Sequence, residues 1–267
     1  MNFIEINSQN ELYKLNYKID LNNYDLKINI KTNIENVLFN FLKNKQNVKY
    51  YFKNNKIKYI DITKNENLYL FFIDVVNYSN YIIRKKNNFI KNDNLWNICI
   101  YDDMMFNLPF TLEDIIFIPF NFIKNCYKNK DKLQFSETLI HEKIHISQRD
   151  NNKLWDDYIL NYDKNWIKIT SDNDLFLNIK NAINNYDKNI VIYNPDTFYD
   201  FLYVYKINNK IFLGLLILKN NYNIKTKWFE YDLNLKILIP QDKNIFNEEH
   251  PYEQLAYSLS KEMIKNS

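Results

Sequence analysis

Glycine, alanine and arginine are almost missing from this 267-residue chain. It contains one glycine (Gly214), two alanines and two arginines, while asparagine, lysine, isoleucine, tyrosine and phenylalanine are abundant. The scarce residues have GC-rich codons and the abundant ones have AT-rich codons. We therefore interpret the composition as the mark of a very AT-rich genome. A single glycine also excludes the glycine-rich loops that bind the phosphate groups of nucleotides.

Cysteine and long apolar runs are scarce as well. The two cysteines, Cys99 and Cys126, fit neither a zinc ribbon nor a disulfide framework, which favours an intracellular, reducing compartment. The longest apolar runs, such as residues 211–218, have eight residues. A membrane-spanning helix needs ~20, so no membrane span is predicted. The first residues lack the apolar core of a signal peptide.

The charge is small and evenly spread. The formal net charge is +3, and lysines alternate with acidic residues without forming a basic block. This pattern gives no indication of nucleic-acid binding. Apolar residues make up 46% of the chain, enough for a folded core. We predict an N-terminal α/β region over residues 1–90 and a second domain over residues 91–267.

Hydrophobic spacing predicts an α+β fold, with helices and strands in separate stretches. The predicted helices cover residues 33–45, 132–149, 153–162 and 251–264. The predicted strands cover residues 57–62, 68–75, 81–84, 96–101, 114–120, 189–193, 199–207, 210–218 and 227–239. Asn208 and Asn209 stand between two apolar runs and predict a tight hairpin turn.

The segment His141-Glu142-Lys143-Ile144-His145 carries the clearest chemical signal. Residues at positions i and i+4 of a helix lie on one face, so both imidazoles can reach one metal ion. Neutral imidazole suits Zn²⁺, whose catalytic sites combine three protein ligands with one water. Glu142 points roughly 100° away around the helix, where it can act as a general base on that water.

A third protein ligand is needed, and the residues alone leave four alternatives. The remaining histidine, His250, precedes Pro251, which predicts the start of a helix. Glu253 would lie in the first turn of that helix. Ala256, one turn further on, is small enough to let a second helix approach closely. The competing ligands in this segment are Glu248, Glu249, His250 and Glu253.

The motif followed far downstream by a helix-borne glutamate resembles the gluzincin branch of the zincin metallopeptidases. This resemblance implies a zincin-like fold in which His141, His145 and Glu253 bind zinc. Three segments are also similar to uncharacterised zincin-like proteins of giant DNA viruses: residues 137–145, residues 194–197 and residues 250–257. Tyr257 departs from the gluzincin pattern, because many members have an aspartate there that supports the first histidine.

These observations predict a zinc-dependent metallopeptidase that acts on a peptide or protein substrate. Glu142 would be the general base, and Tyr257, Tyr199 or His250 would stabilise the oxyanion. A strand just before the motif helix, over residues 114–120, would bind the substrate backbone by strand addition. The alternative is a zinc-binding structural or interaction protein without turnover, such as a virion component.

Overall fold

The computed structural model describes residues 3–5, 27–30, 58–86, 90, 95–102, 108–186, 191–192, 201–219 and 223–265. The predicted helix over residues 33–45 lies outside this part of the chain, as do residues 194–197 and Tyr199. The described elements form two β-sheets and six α-helices. The predicted α+β class is confirmed.

The first sheet has six strands and is mixed. Their order is β1-β2-β4-β6-β5, with β3 pairing β4. The pairs β2–β4 and β4–β6 are parallel and the others are antiparallel. The strands are β1 (Phe3–Glu5), β2 (Lys27–Ile30), β3 (Lys58–Tyr59), β4 (Leu95–Asp102), β5 (Phe110–Leu112) and β6 (Ile115–Pro119).

The second sheet is antiparallel throughout. Its order is β12-β11-β10-β9-β7, with β8 pairing β10. The strands are β7 (Trp166–Thr170), β8 (Val191–Ile192), β9 (Phe201–Ile207), β10 (Lys210–Lys219), β11 (Asn223–Asp232) and β12 (Ile237–Pro240). The predicted hairpin is confirmed, because Asn208 and Asn209 both have positive φ and join β9 to β10.

One predicted strand of the second sheet is wrong in its length. Residues 227–239 do not form a single strand, because a turn at residues 233–236 separates β11 from β12. The Asp232 carboxylate accepts hydrogen bonds from the backbone N–H groups of Asn234 and Leu235. Lys236 has a φ of 55°. An aspartate that bonds the following backbone is a turn signal, and it outweighs the apolar residues around it.

The six helices are α1 (Glu66–Lys86), α2 (Phe120–Asn129), α3 (Lys132–Asp150), α4 (Asn152–Tyr162), α5 (Asp174–Asn185) and α6 (Pro251–Lys265). The helices predicted over residues 132–149, 153–162 and 251–264 are confirmed. The sequence analysis missed α2 and α5. The strands predicted over residues 68–75 and 81–84 are wrong, because both stretches belong to α1.

Helix α1 was misassigned because its apolar residues are mostly β-branched or aromatic. Its buried positions Leu68, Phe72, Val75 and Val76 nevertheless follow helical spacing, and Ile82 and Ile83 continue the same face. The Asn65 side chain accepts a hydrogen bond from the backbone N–H of Leu68 and caps the first turn. Burial of this face against α3 outweighs the local strand propensity.

Helix α3 lies at the centre of the fold. It contacts α1, α2, α4 and α6, as well as β5 and β6 of the first sheet. One hydrophobic core joins residues of the first sheet, these helices and the aromatic face of the second sheet. Residues from both predicted regions, 1–90 and 91–267, contribute to this core and to the first sheet.

A second core lies between α5 and the opposite face of the second sheet. Within the described residues, no helix combines the length and the apolar character needed to cross a membrane.

Candidate metal centre

The two motif histidines lie in the most enclosed part of α3. Every residue from Leu139 to Gln148 is buried, as expected of a helix with neighbours on all sides. The Asp131 side chain starts this helix by accepting a hydrogen bond from the backbone N–H of Gln134. Two of the buried polar residues form hydrogen bonds that do not involve the histidines. Lys143 donates to the Leu95 carbonyl, and Ser147 accepts from Trp155.

Helix α6 brings the third residue to this face of α3. Pro251 is its first residue, and Glu253 lies in the first turn. The two helices pack closely, with Ala256 fully buried. The expected close approach at this small residue is therefore observed. Glu253 is 5% exposed, His141 7% and His145 0%.

The three side chains converge through the atoms that would bind a metal. The two histidine Nε2 atoms are 3.0 Å apart. Glu253 Oε2 is 3.3 Å from His141 Nε2, and Glu253 Oε1 is 3.3 Å from His145 Nε2. Tetrahedral zinc with ligand distances of about 2.0–2.1 Å separates its ligand atoms by about 3.3 Å. The donor set and its spacing therefore fit Zn²⁺.

Among the described residues, His141, His145 and Glu253 form the group that could hold a metal ion. Glu142 is not part of it, and its predicted role as a general base stays a prediction. The other predicted competitors, Glu248, Glu249 and His250, are not part of it either. Of the four alternatives that the sequence left open, the structure brings Glu253 beside the two histidines, and its role as a ligand stays a prediction.

Electrostatics at the centre favour an ionised Glu253. Burial by itself raises the pKa of this carboxyl, but His145 and His141 act against it through charge and hydrogen bonding. The two histidines prevail and hold the pKa of Glu253 well below its usual range. The carboxylate therefore stays charged at neutral pH, as a metal ligand must.

The two histidines have different surroundings on their other ring nitrogen. His145 Nδ1 lies 2.7 Å from Gln148 Oε1. His141 Nδ1 is buried and has no hydrogen-bond partner among the described residues. The Tyr257 ring lies against the His141 ring instead, with centroids 4.3 Å apart. Tyr257 stands at the position where the gluzincin resemblance implies an aspartate, and its contact with His141 is aromatic.

Tyr257 lies at the edge of the centre and is 41% exposed. Burial of its hydroxyl is the main reason that the pKa of Tyr257 is raised above its ordinary value. Nearby negative charges reinforce the effect, namely those of Glu253, Glu248, Glu142 and Glu249. The phenol keeps its proton at neutral pH and is available as a hydrogen-bond donor.

His250 lies behind the centre, not within the ligand group. Its Nδ1 accepts a hydrogen bond from the backbone N–H of Tyr252 at 3.1 Å, which caps the start of α6. Its ring packs against the rings of Tyr203 and Tyr252. Burial lowers the pKa of His250 to about 3, against the opposing charge of Glu253. The imidazole is neutral, and its predicted oxyanion role stays a prediction.

The sequence analysis missed three residues that surround the centre. Gln148 contacts His145, Tyr252 precedes Glu253 and is fully buried, and Asp156 accepts a 2.5 Å hydrogen bond from the Tyr252 hydroxyl. Gln148 could have been found, because residues i and i+3 share a helix face. No sequence signal links Asp156 to Tyr252, which is 96 positions away.

The prediction that residues 114–120 bind the substrate backbone is wrong. Residues 115–117 of β6 pair with β4 on one side and with β5 on the other. A strand paired on both sides cannot accept a further strand there. The outermost strand at this end of the sheet is β5.

Comparisons with protein-family models, curated proteins and solved structures gave no match. The resemblance to gluzincins therefore stays a prediction, and the functional argument depends on the geometry of the centre.

Proposed function

We propose that the chain is a zinc-dependent metallopeptidase with a gluzincin-like centre. The observation that carries this proposal is the convergence of His141, His145 and Glu253. Their two Nε2 atoms are 3.0 Å apart, and each lies 3.3 Å from one of the two carboxylate oxygens. Two of these residues flank a buried glutamate in a His-Glu-x-x-His motif. A purely structural zinc site would not need that glutamate.

A zinc ion held by His141, His145 and Glu253 would supply Lewis acidity and would make water more acidic, with a pKa of about 7. The protein supplies the proton transfers. Glu142 follows His141 directly and is 3% exposed. It takes a proton from the attacking water and returns it to the leaving amine nitrogen, which is the role of a general base and then of a general acid.

Tyr257 is the proposed donor to the oxyanion. Its ring contacts that of His141, and the charge of Glu142 acts on its hydroxyl, so the phenol and the base lie within electrostatic range of each other. A donor that keeps its proton can stabilise the negative charge that develops on a carbonyl oxygen.

An extended peptide would reach this centre along β5. In the described part of the chain this strand ends the first sheet, and it packs against α3. Its three side chains are buried, so the substrate would pair with its backbone edge and not with its side chains.

The test combines metal analysis with a peptide library read by mass spectrometry. We expect about one Zn²⁺ per chain in the wild type and in Glu142→Gln. His141→Ala, His145→Ala and Glu253→Ala should lose the metal, whereas the neighbouring control Glu248→Ala should keep it. Full occupancy in all three ligand variants would reject the site.

Glu142→Gln should abolish cleavage, because the amide cannot accept a proton at neutral pH. General-base catalysis contributes about 10²–10⁴-fold, so the loss should be plain. Cleavage at the wild-type rate in Glu142→Gln would contradict the mechanism. Zinc binding without cleavage of any peptide would favour the zinc-binding interaction protein without turnover.

A further inference from the structure

Gln148 is fully buried, and both ends of its amide are engaged. Its Oε1 lies 2.7 Å from His145 Nδ1. Its Nε2 donates to the Tyr252 carbonyl at 3.0 Å. The side chain therefore bridges a metal-site histidine on α3 and the backbone of α6, one residue before Glu253.

The bridge determines which nitrogen of His145 carries the proton. A backbone carbonyl can only accept, so the NH₂ group of Gln148 must face Tyr252. Its oxygen must then face His145, and an oxygen of this kind can only accept. A hydrogen therefore resides on His145 Nδ1, so a neutral His145 has its lone pair on Nε2. Nε2 is the nitrogen that lies beside His141 and Glu253.

Tyr252, whose carbonyl accepts from Gln148, is itself held by hydrogen bonds. The Tyr252 hydroxyl donates to Asp156 at 2.5 Å, and the Tyr252 backbone N–H donates to His250 Nδ1 at 3.1 Å. Asp156 also accepts from the Tyr203 hydroxyl. Tyr252 is thus bonded through its side chain, its N–H and its carbonyl. Gln148 connects His145 to the backbone of this residue.

We propose that Gln148 is a positioning residue that sets the Nδ1–H tautomer of His145 and ties this histidine to the backbone beside Glu253. The amide accepts from the imidazole through its oxygen and donates to the carbonyl through its nitrogen, without adding charge. The tautomer does not depend on the proposed peptidase function. The effect on zinc affinity does rest on the proposed zinc site.

Tautomers can be read from the ¹⁵N shifts of the imidazole nitrogens in metal-free protein. The chain has three histidines, so His141→Asn and His250→Asn variants suffice to assign the signals. We expect His145 to carry its proton on Nδ1 and His250 on Nε2. A neutral His145 that carries its proton on Nε2 in the wild type would overturn the proposal without any Gln148 variant.

Two substitutions separate the two contacts. Gln148→Glu can still accept from His145 but cannot donate to the Tyr252 carbonyl, so it should keep the tautomer and weaken zinc binding. Gln148→Leu removes both contacts, so it should lose the tautomer preference and bind zinc about 10–100-fold more weakly, as for other lost outer-shell partners. Gln134→Leu, at an exposed position of the same helix, is the matched control and should change neither.

The proposal fails if Gln148→Leu keeps the wild-type tautomer, or binds zinc within about twofold of the wild type. A wild type that shows the expected tautomer but cleaves no peptide would contradict the peptidase function and leave the positioning role intact.

Discussion

Helices α3 and α6 contribute to the same centre in different ways. Helix α3 carries His141, Glu142 and His145 within one and a half turns, so local geometry alone brings them together. Helix α6 carries one ligand, Glu253, from a part of the chain more than a hundred residues away. Its placement depends on contacts with the second sheet, with α4 and with α3.

The difference is visible in how each helix is held. Helix α3 is buried on all sides between Leu139 and Gln148, so its position follows from the core as a whole. The first turn of α6 is held by particular contacts of Tyr252 and by the segment that leads into it. The centre should therefore be most sensitive to changes that displace α6 and spare α3.

The largest loss of zinc affinity is expected from a substitution of Gly214 in β10. A Cβ atom added there would lie 2.5 Å from both the Cα and the carbonyl oxygen of Glu249. Real side chains do not tolerate such contacts, so Gly214→Ala should displace the segment that leads to Glu253. We expect a loss of zinc affinity beyond the ~10–100-fold that removal of an outer-shell partner costs. Isothermal titration with zinc measures it.

Leu215→Ala is the control for Gly214→Ala. It removes partly buried apolar contacts from the next position of the same strand, and should lower stability while zinc binding is kept. Equal zinc affinity in Gly214→Ala and the wild type would show that the approach of β10 to Glu249 does not place the third ligand.

A smaller effect is expected from Tyr252→Phe. The change removes the hydrogen bond to Asp156, and a bond to a charged group contributes about 1.5–3 kcal/mol. The free energy of unfolding should fall by about this amount, and zinc should bind up to about tenfold more weakly. Urea unfolding and zinc titration give the two values.

Tyr203→Phe offers a matched comparison. Tyr203 donates to the same Asp156 oxygen at the same distance of 2.5 Å, but it belongs to β9. The free energy of unfolding of Tyr203→Phe should fall by a similar amount, and the variant should keep its zinc affinity. If both variants lowered zinc affinity equally, the contact of Tyr252 would have no special role in placing α6.

The smallest change in the free energy of unfolding at neutral pH is expected from His250→Asn, since asparagine can also cap a helix. The pKa of folded His250 is about 3, below the ordinary 6.5. The unfolded chain therefore binds more protons between these values, and the contribution of this residue to stability is lost as pH falls through that window. At pH 5 this loss is about 2 kcal/mol.

Urea unfolding at pH 7.5 and pH 5, in metal-free protein, measures this difference. His250→Asn should lose about 2 kcal/mol less than the wild type between the two pH values. An identical loss in both proteins would mean that His250 titrates normally in the folded chain.

The sequence predicted elements well where local signals agree with the fold. Helices α3, α4 and α6, the Asn208-Asn209 turn, and strands β4 and β6 were all found. Helix α1 was read as two strands because its β-branched residues are locally compatible with both structures, and only packing against α3 decides between them. The break between β11 and β12 was missed because apolar residues continue through the Asp232 turn.

By itself, the sequence determined the α+β class and the grouping of His141, Glu142 and His145, because both follow from residue spacing along one element. It also limited the third ligand to four residues. Only the tertiary structure brings one of these, Glu253, beside the two histidines, through the direction in which α6 enters and the contacts of Tyr252, Gln148 and Asp156. Those contacts join residues far apart in the chain, and such pairings have no local periodicity that a single sequence could display.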